Sequence, residues 1–215
     1  MFVERLVLGE LQTNCWVVAD DSGGPAIVID PAGHPSDAER IALAAAPRDI
    51  AVVVLTHAHF DHLGAASALL EATGATLAIH RVDAPRITSA AAGGTGGALF
   101  GFSDVAPQAD RLLDDGSLVE GGSAVLEVWS TPGHTEGSIS LLASGGERPM
   151  HLFSGDTLFA SSVGRTDFPG GDARALQRSI ARIATLPDET VVHPGHGPDT
   201  TVGRERRVNA FFPRA

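Results

Sequence analysis

The chain has 215 residues with 15 basic and 26 acidic side chains, a formal net charge of −11 that argues against binding to nucleic-acid phosphates or anionic membranes. Hydrophobic residues make up 43% of it, enough for a sizeable core and too many for a disordered chain. The one cysteine, Cys15, excludes an internal disulfide and a cysteine-based zinc site, and its run Cys15-Trp16-Val17-Val18 reads as a buried structural thiol.

Residues 3–8, 14–19 and 26–30 are strand-prone. The segment Asp20-Asp21-Ser22-Gly23-Gly24-Pro25 between the last two is turn chemistry, so the three runs predict an antiparallel meander. Ser36 is placed to cap a helix over residues 37–46, with Pro47 just past its end. Residues 50–56 form a continuous apolar strand of the kind buried on both faces. An alanine-rich helix over 65–73, closed by Gly74, and a strand over 76–80 follow. Residues 88–108 have no periodicity and read as a flexible loop, a lid or rim.

The second half repeats the order. Strands are expected over 118–120 and 124–131 around a Glu120-Gly121-Gly122 turn, and over 138–142 and 150–154 around Gly145-Gly146. Residues 172–185 predict an amphipathic helix with Leu176, Ile180 and Ile183 at helical spacing. A last strand over 190–193 and a helix over 203–211 complete the chain. Two mixed sheets packed face to face, with helices outside, satisfy the burial demands of this order. The N-terminal Met1-Phe2-Val3-Glu4-Arg5 includes an acid and opens no long apolar stretch, and no run approaches a membrane span. Neither a secretory signal nor a membrane anchor is expected, and the cytoplasm is the expected compartment.

Directly after the 50–56 strand stands His57-Ala58-His59-Phe60-Asp61-His62, three imidazoles and a carboxylate in six residues. Neither packing nor solubility calls for that density. Imidazole and carboxylate together suit Zn²⁺, Fe²⁺ or Mn²⁺. More candidates stand where later strands end: His134 in Thr131-Pro132-Gly133-His134-Thr135, Asp156 after Ser154-Gly155, and His196 in Pro194-Gly195-His196-Gly197. Each neighbours a glycine, which lets the backbone approach closely.

With these four motifs in this order, the chain resembles the metallo-β-lactamase superfamily of metallohydrolases, and the resemblance spans nearly all of it. It implies an α/β fold of the α+β kind, a four-layer αββα sandwich with a metal site at the edge of the two packed sheets. It implies two divalent metal ions, Zn²⁺ first with Fe²⁺ or Mn²⁺ as alternatives. His57, His59 and His134 would hold one, Asp61, His62 and His196 the other, and Asp156 would bridge them. Two such ions about 3.5–4 Å apart can share a hydroxide. Asp61 and Asp156 are then the catalytic carboxylates, Asp61 orienting the hydroxide's proton.

Zinc β-lactamases often carry cysteine where Asp156 stands, and Asp156 matches the glyoxalase II-like branch instead. Gly164-Arg165-Thr166-Asp167-Phe168-Pro169-Gly170-Gly171-Asp172 and the run from Pro194 to Gly203 look like the short, single-domain hydroxyacylglutathione hydrolase-like enzymes. One domain over residues 1–215 is expected, without the C-terminal helical domain of long glyoxalase II enzymes. The expected activity is hydrolysis of a small-molecule thioester by hydroxide bridging two metals. A mononuclear-iron persulfide dioxygenase, which shares the Gly-Arg-Thr-Asp stretch, and a lactonase or other ester hydrolase are the alternatives. Thr56, His80, Arg165, Thr166 and Asp167 are candidates for support behind the ligands. Arg165 and Asp167 read as a structural ion pair and Thr166 as a hydrogen-bond partner of a ligand. His34 reads as a turn or rim residue, His151 and His193 as structural, and Arg204, Arg206 and Arg207 as a solvated helix face.

Overall fold

The computed structural model describes residues 1–91, 93–143 and 149–213. Its first sheet runs in chain order: β1 (Phe2–Leu8), β2 (Thr13–Ala19), β3 (Ala26–Ile29), β4 (Ile50–Leu55), β5 (Thr76–His80) and β6 (Arg111–Leu113). The first three strands form the expected antiparallel meander. From β3 onward the pairing is parallel, which requires crossovers. Helices α1 (Ala38–Ala45) and α2 (Ala66–Thr73) supply the first two and pack against each other.

The second sheet takes β7 (Leu118–Gly121), β8 (Ala124–Ser130), β9 (Ile139–Ala143) and β10 (His151–Gly155) in antiparallel succession. A small hairpin of β11 (Leu158–Phe159) and β12 (Ser162–Val163) leads to α3 (Ala173–Ile183). After it, β13 (Val191–Pro194) returns parallel to β10, and β14 (Thr200–Thr201) and α4 (Val202–Val208) follow.

Strand alternation divides the apolar side chains into three layers. On β2, Cys15, Val17 and Ala19 face α1 and α2, while Trp16 and Val18 face the second sheet; on β4, Val53 and Leu55 oppose Val52 and Val54 in the same way. The middle layer is closed from the other sheet by Leu126, Val128, Leu141 and Phe153. Leu176, Ile180 and Ile183 of α3 lie with Leu152 and Val192 in the third. The result is the αββα sandwich. Each fully buried aliphatic side chain contributes about 1.5–3 kcal/mol, and burial also raises the Cys15 thiol pKa.

Several boundaries differ from the sequence reading. Ser36 caps nothing: Pro35–Asp37 is a tight 3-10 turn leading into α1, and the carboxylate of Asp37 accepts the His34 amide at 3.0 Å. Proline at the first position fixes φ and favours that turn. β6 and the β11–β12 hairpin, three and two residues per strand, are below what periodicity registers. α4 ends at Val208. The Gly145-Gly146 turn lies outside the described residues. Among the described residues no helix is long and apolar enough to cross a membrane.

Candidate metal centre

The carboxyl end of β4 delivers residues 57–62, and loops after β8, β10 and β13 deliver His134, Asp156 and His196 to the same edge of the sandwich. A backbone bridge between Thr13 and His196 ties the two sheets there. The structure brings all seven side chains together. His57, His59 and His134 form one group whose ligand atoms lie within 4.8 Å of one another; Asp61, His62 and His196 form a second; His57, His62 and Asp156 form a third that joins them. Asp156 Oδ1 stands 3.4 Å from His62 Nε2, and its Oδ2 stands 3.5 Å from His134 Nε2 and 3.6 Å from His196 Nε2. Asp61 Oδ2 stands 3.2 Å from His196 Nε2 and accepts from Thr13 Oγ1 at 3.1 Å.

Four of the five rings are fixed from behind. His62 Nδ1 donates to Asp30 Oδ2 at 2.9 Å, His134 Nδ1 to the Arg165 carbonyl at 2.8 Å, and His196 Nδ1 to the Leu11 carbonyl at 3.1 Å. Thr56 Oγ1 gives its only hydrogen to Asp30 Oδ2 at 2.7 Å, so it accepts from His57 Nδ1 at 3.0 Å. In each case the Nδ1 hydrogen is engaged, which leaves the Nε2 lone pair facing the cluster. That tautomer is the one a cation needs. Gly195 permits the close approach. A Cβ there would overlap Asp156 Oδ1 and come within 2.8 Å of His62 Cε1.

The electrostatics follow from burial and crowding. Burial, followed by the neighbouring imidazoles of His62, His59 and His134, holds His57 well below the ordinary histidine pKa. Burial and His134 lower His59 to about 3. Burial opposes charge on His62 as well, yet the carboxylates of Asp61, Asp156 and Asp30 raise it well above the ordinary value. Burial likewise resists ionisation of Asp156, but His62, His134 and His196 hold it below the usual carboxylate range. The carboxylates thus call for positive charge at the centre of the cluster. Among the described residues, His57 Nε2, His62 Nε2 and Asp156 Oδ1 are buried with no hydrogen-bond partner. Such orphans cost about 1–3 kcal/mol each, and divalent cations would complete all three. Five imidazoles and two carboxylates fit a borderline divalent metal such as zinc or iron.

Of the supporting candidates, Thr56 touches His57 directly. Arg165 supports His134 through its backbone carbonyl, while its guanidinium pairs with Asp167 through two 2.7 Å bonds. Thr166 is half-buried beside them, but the hydrogen bond to a ligand comes from its neighbour's carbonyl, not its hydroxyl. His80 is turned elsewhere: its Nε2 meets Ser130 Oγ at 3.3 Å. His34 pairs with Glu10, and His151 Nδ1 lies 2.9 Å from His193 Nε2. Arg204 and Arg206 pair with Glu205 and Asp188.

Two residues escaped the sequence reading. Asp30, at φ 52°, binds the Thr56 amide, the Thr56 hydroxyl and His62. Its place at the end of β3, opposite β4, was the available signal. Asp83, fully buried, accepts from the Ala58 amide, Thr135 Oγ1 and the Gly137 amide at 3.0, 2.7 and 3.1 Å. It therefore ties the 57–62 loop to the loop of His134, and nothing local in Val82-Asp83-Ala84 announces that.

A cleft of about 220 Å³ opens onto the cluster, with His59, Asp61, His134, Asp156 and His196 on its floor. Residues 8–196 match the family model described as the metallo-beta-lactamase superfamily. The chain is 33% identical to the hydroxyacylglutathione hydrolase GloC of Haemophilus influenzae, over 99% of this chain and 98% of that one. Its fold superposes on the crystal structure of the B3 metallo-beta-lactamase BLEG-1 with a TM-score of 0.88 at 36% identity, covering 98% and 99% of the two chains. TTHA1623, solved in a di-iron-bound form, gives a TM-score of 0.84 at 37% identity, covering 98% and 100%. With its sandwich fold and its clustered histidines and aspartates, the chain belongs to the metallo-β-lactamase superfamily, whose members bind divalent metal ions, and it is a metallohydrolase of that superfamily.

Proposed function

We propose that this chain hydrolyses small-molecule thioesters, with water as the nucleophile and two divalent metal ions, zinc first, as the cofactor. The observation that carries this reading is Asp156, set between the two histidine groups with one oxygen toward His62 and the other toward His134 and His196. Whole-length similarity to a hydroxyacylglutathione hydrolase supports a thioester as the substrate.

The cleft's own side chains leave the attack to water. Its one hydroxyl side chain is Thr95, which accepts the Gly97 amide at 3.3 Å, and the nearby Ser154 donates to the Leu158 carbonyl. Among the described residues, neither hydroxyl is hydrogen-bonded to a base. Bound divalent cations would supply a water that ionises near pH 7 and an electrophile for the carbonyl oxygen. Asp61, partly open to the cleft and steadied by Thr13, holds the remaining proton of the attacking water at Oδ2 and so aims its lone pair at the carbonyl carbon. His62, pinned by Asp30 through Nδ1, would hold a metal ion through Nε2 together with Asp61 and His196. A C–O bond forms, the C–S bond breaks, and the products are a carboxylate and a thiol. A thiol pKa of about 8.5 lets the sulfur leave without an acid to protonate it.

The test is a substrate panel on chelated protein, before and after adding Zn²⁺ or Fe²⁺. Thioester cleavage should vanish on chelation and return with metal. Faster turnover of lactones, or oxygen uptake with a persulfide, would replace the thioester reading with one of the alternatives. Thioester cleavage that survives complete metal removal would overturn the mechanism.

A further inference from the structure

The walls of the cleft differ in chemistry from its floor. Leu11, Phe60, Leu99, Phe100, Phe168 and Pro169 enclose it. Phe60 stacks on Phe100 with centroids 5.4 Å apart, and Phe100 meets Phe168 edge-on at 6.2 Å. Phe168 in turn meets the ring of His59, a floor residue, at 5.9 Å. Leu11, Leu99 and Phe100 are 51%, 57% and 53% exposed. Three large apolar side chains left open to water around one cleft mark a binding surface.

The two cations at the rim are already engaged. Arg86 donates from Nε to the Gly94 carbonyl and from Nη2 to the Pro169 carbonyl, and its Nη1 lies 3.6 Å from the buried Asp83. It clamps the wall segments around residues 94 and 169 to each other. Arg165 turns two donors to Asp167 and lays its guanidinium on Phe168 at 3.8 Å. Neither cation is arranged to receive a carboxylate. The hydroxyl that lines the cleft, Thr95, is fully buried and accepts the Gly97 amide at 3.3 Å.

We infer that this cleft is an acyl-group subsite for hydrocarbon, aryl-alkyl in particular, rather than for a hydroxylated acyl chain such as lactoyl. The cleft volume of about 220 Å³ leaves room for a phenylpropanoyl-sized group between the aromatic walls. The choice of a thioester rests on the function proposed above, whereas the preference for an apolar acyl group rests on the walls alone.

The experiment uses the zinc-loaded protein and has two arms. In the first, acetyl, D-lactoyl and 3-phenylpropanoyl thioesters of N-acetylcysteamine are compared by kcat/KM. The phenylpropanoyl thioester should be favoured over lactoyl by roughly tenfold or more, the scale of discrimination an apolar pocket supplies. In the second, 3-phenylpropanoate and lactate are titrated calorimetrically. Phenylpropanoate should bind more tightly, and Phe100→Ala, a change at an exposed side chain that the core does not need, should narrow both preferences. Leu43→Ala, at a still more exposed side chain on α1, should leave them unchanged. Equal binding, or a preference for lactate, overturns the inference. A binding preference without turnover of any thioester sustains the subsite and sinks the thioester reading.

Discussion

At the scale of single residues, the seven clustered side chains were legible because four lie within six positions and the others stand in glycine-flanked turns after strands. The groups that hold them were not. Asp30 looks like a turn aspartate until β3 is laid parallel to β4, which brings its carboxylate to Thr56 and His62. Asp83 reads as nothing in particular, since its three partners are 25 to 54 residues away. Residues that orient a ligand ring from behind typically govern metal affinity by about 10–100-fold. Asp30→Ala should weaken metal binding by about that factor, measured by competition with a chromophoric chelator, because His62 loses its Nδ1 partner. Unchanged affinity would mean that the ring is held by its packing alone. His80, a candidate for support behind the ligands at the end of β5, instead meets Ser130 Oγ at 3.3 Å.

Among the elements, strands of four or more residues were legible from apolar runs, whereas β6, with Arg111 and Leu112 exposed, exists through its pairing with β5. The start of α3 is the clearest case of a local rule holding. Asp172 accepts the amides of Arg174 and Ala175 at 2.8 and 3.0 Å, and those hydrogen bonds from Ala175 and Arg174 hold its carboxyl below the usual range. A carboxyl with a lowered folded-state pKa contributes fully above its unfolded value, about 3.9, and loses that contribution as the pH falls through the folded one. Asp172→Ala should therefore lower Tm by a few degrees at neutral pH, with the gap to wild type closing below about pH 4. Asp172→Asn, which keeps the cap, should stay near wild type throughout. A gap that persists undiminished in acid would place the effect outside the cap.

Across the whole molecule, the four-layer order was readable from the succession of strands and helices, while the matching of layers came from strand alternation in three dimensions. Leu141, fully buried between the sheets, belongs to the layer that fixes one sheet against the other. Leu141→Ala should cost about 2–5 kcal/mol in denaturant unfolding of the metal-free protein, and a loss below about 1 kcal/mol would show that the two sheets close over the gap. The same sheet packing carries His57 to His62 on one side and His134, Asp156 and His196 on the other, so the centre exists only when both sheets are in register. The most direct measurement is therefore the metal content of the reconstituted protein, by elemental analysis after removal of free ions. Two divalent ions per chain are expected, falling when Asp156 is changed to alanine in a protein that still unfolds cooperatively. A wild-type chain that retains no ion, or an Asp156→Ala chain that retains two, would contradict a centre built across the two sheets.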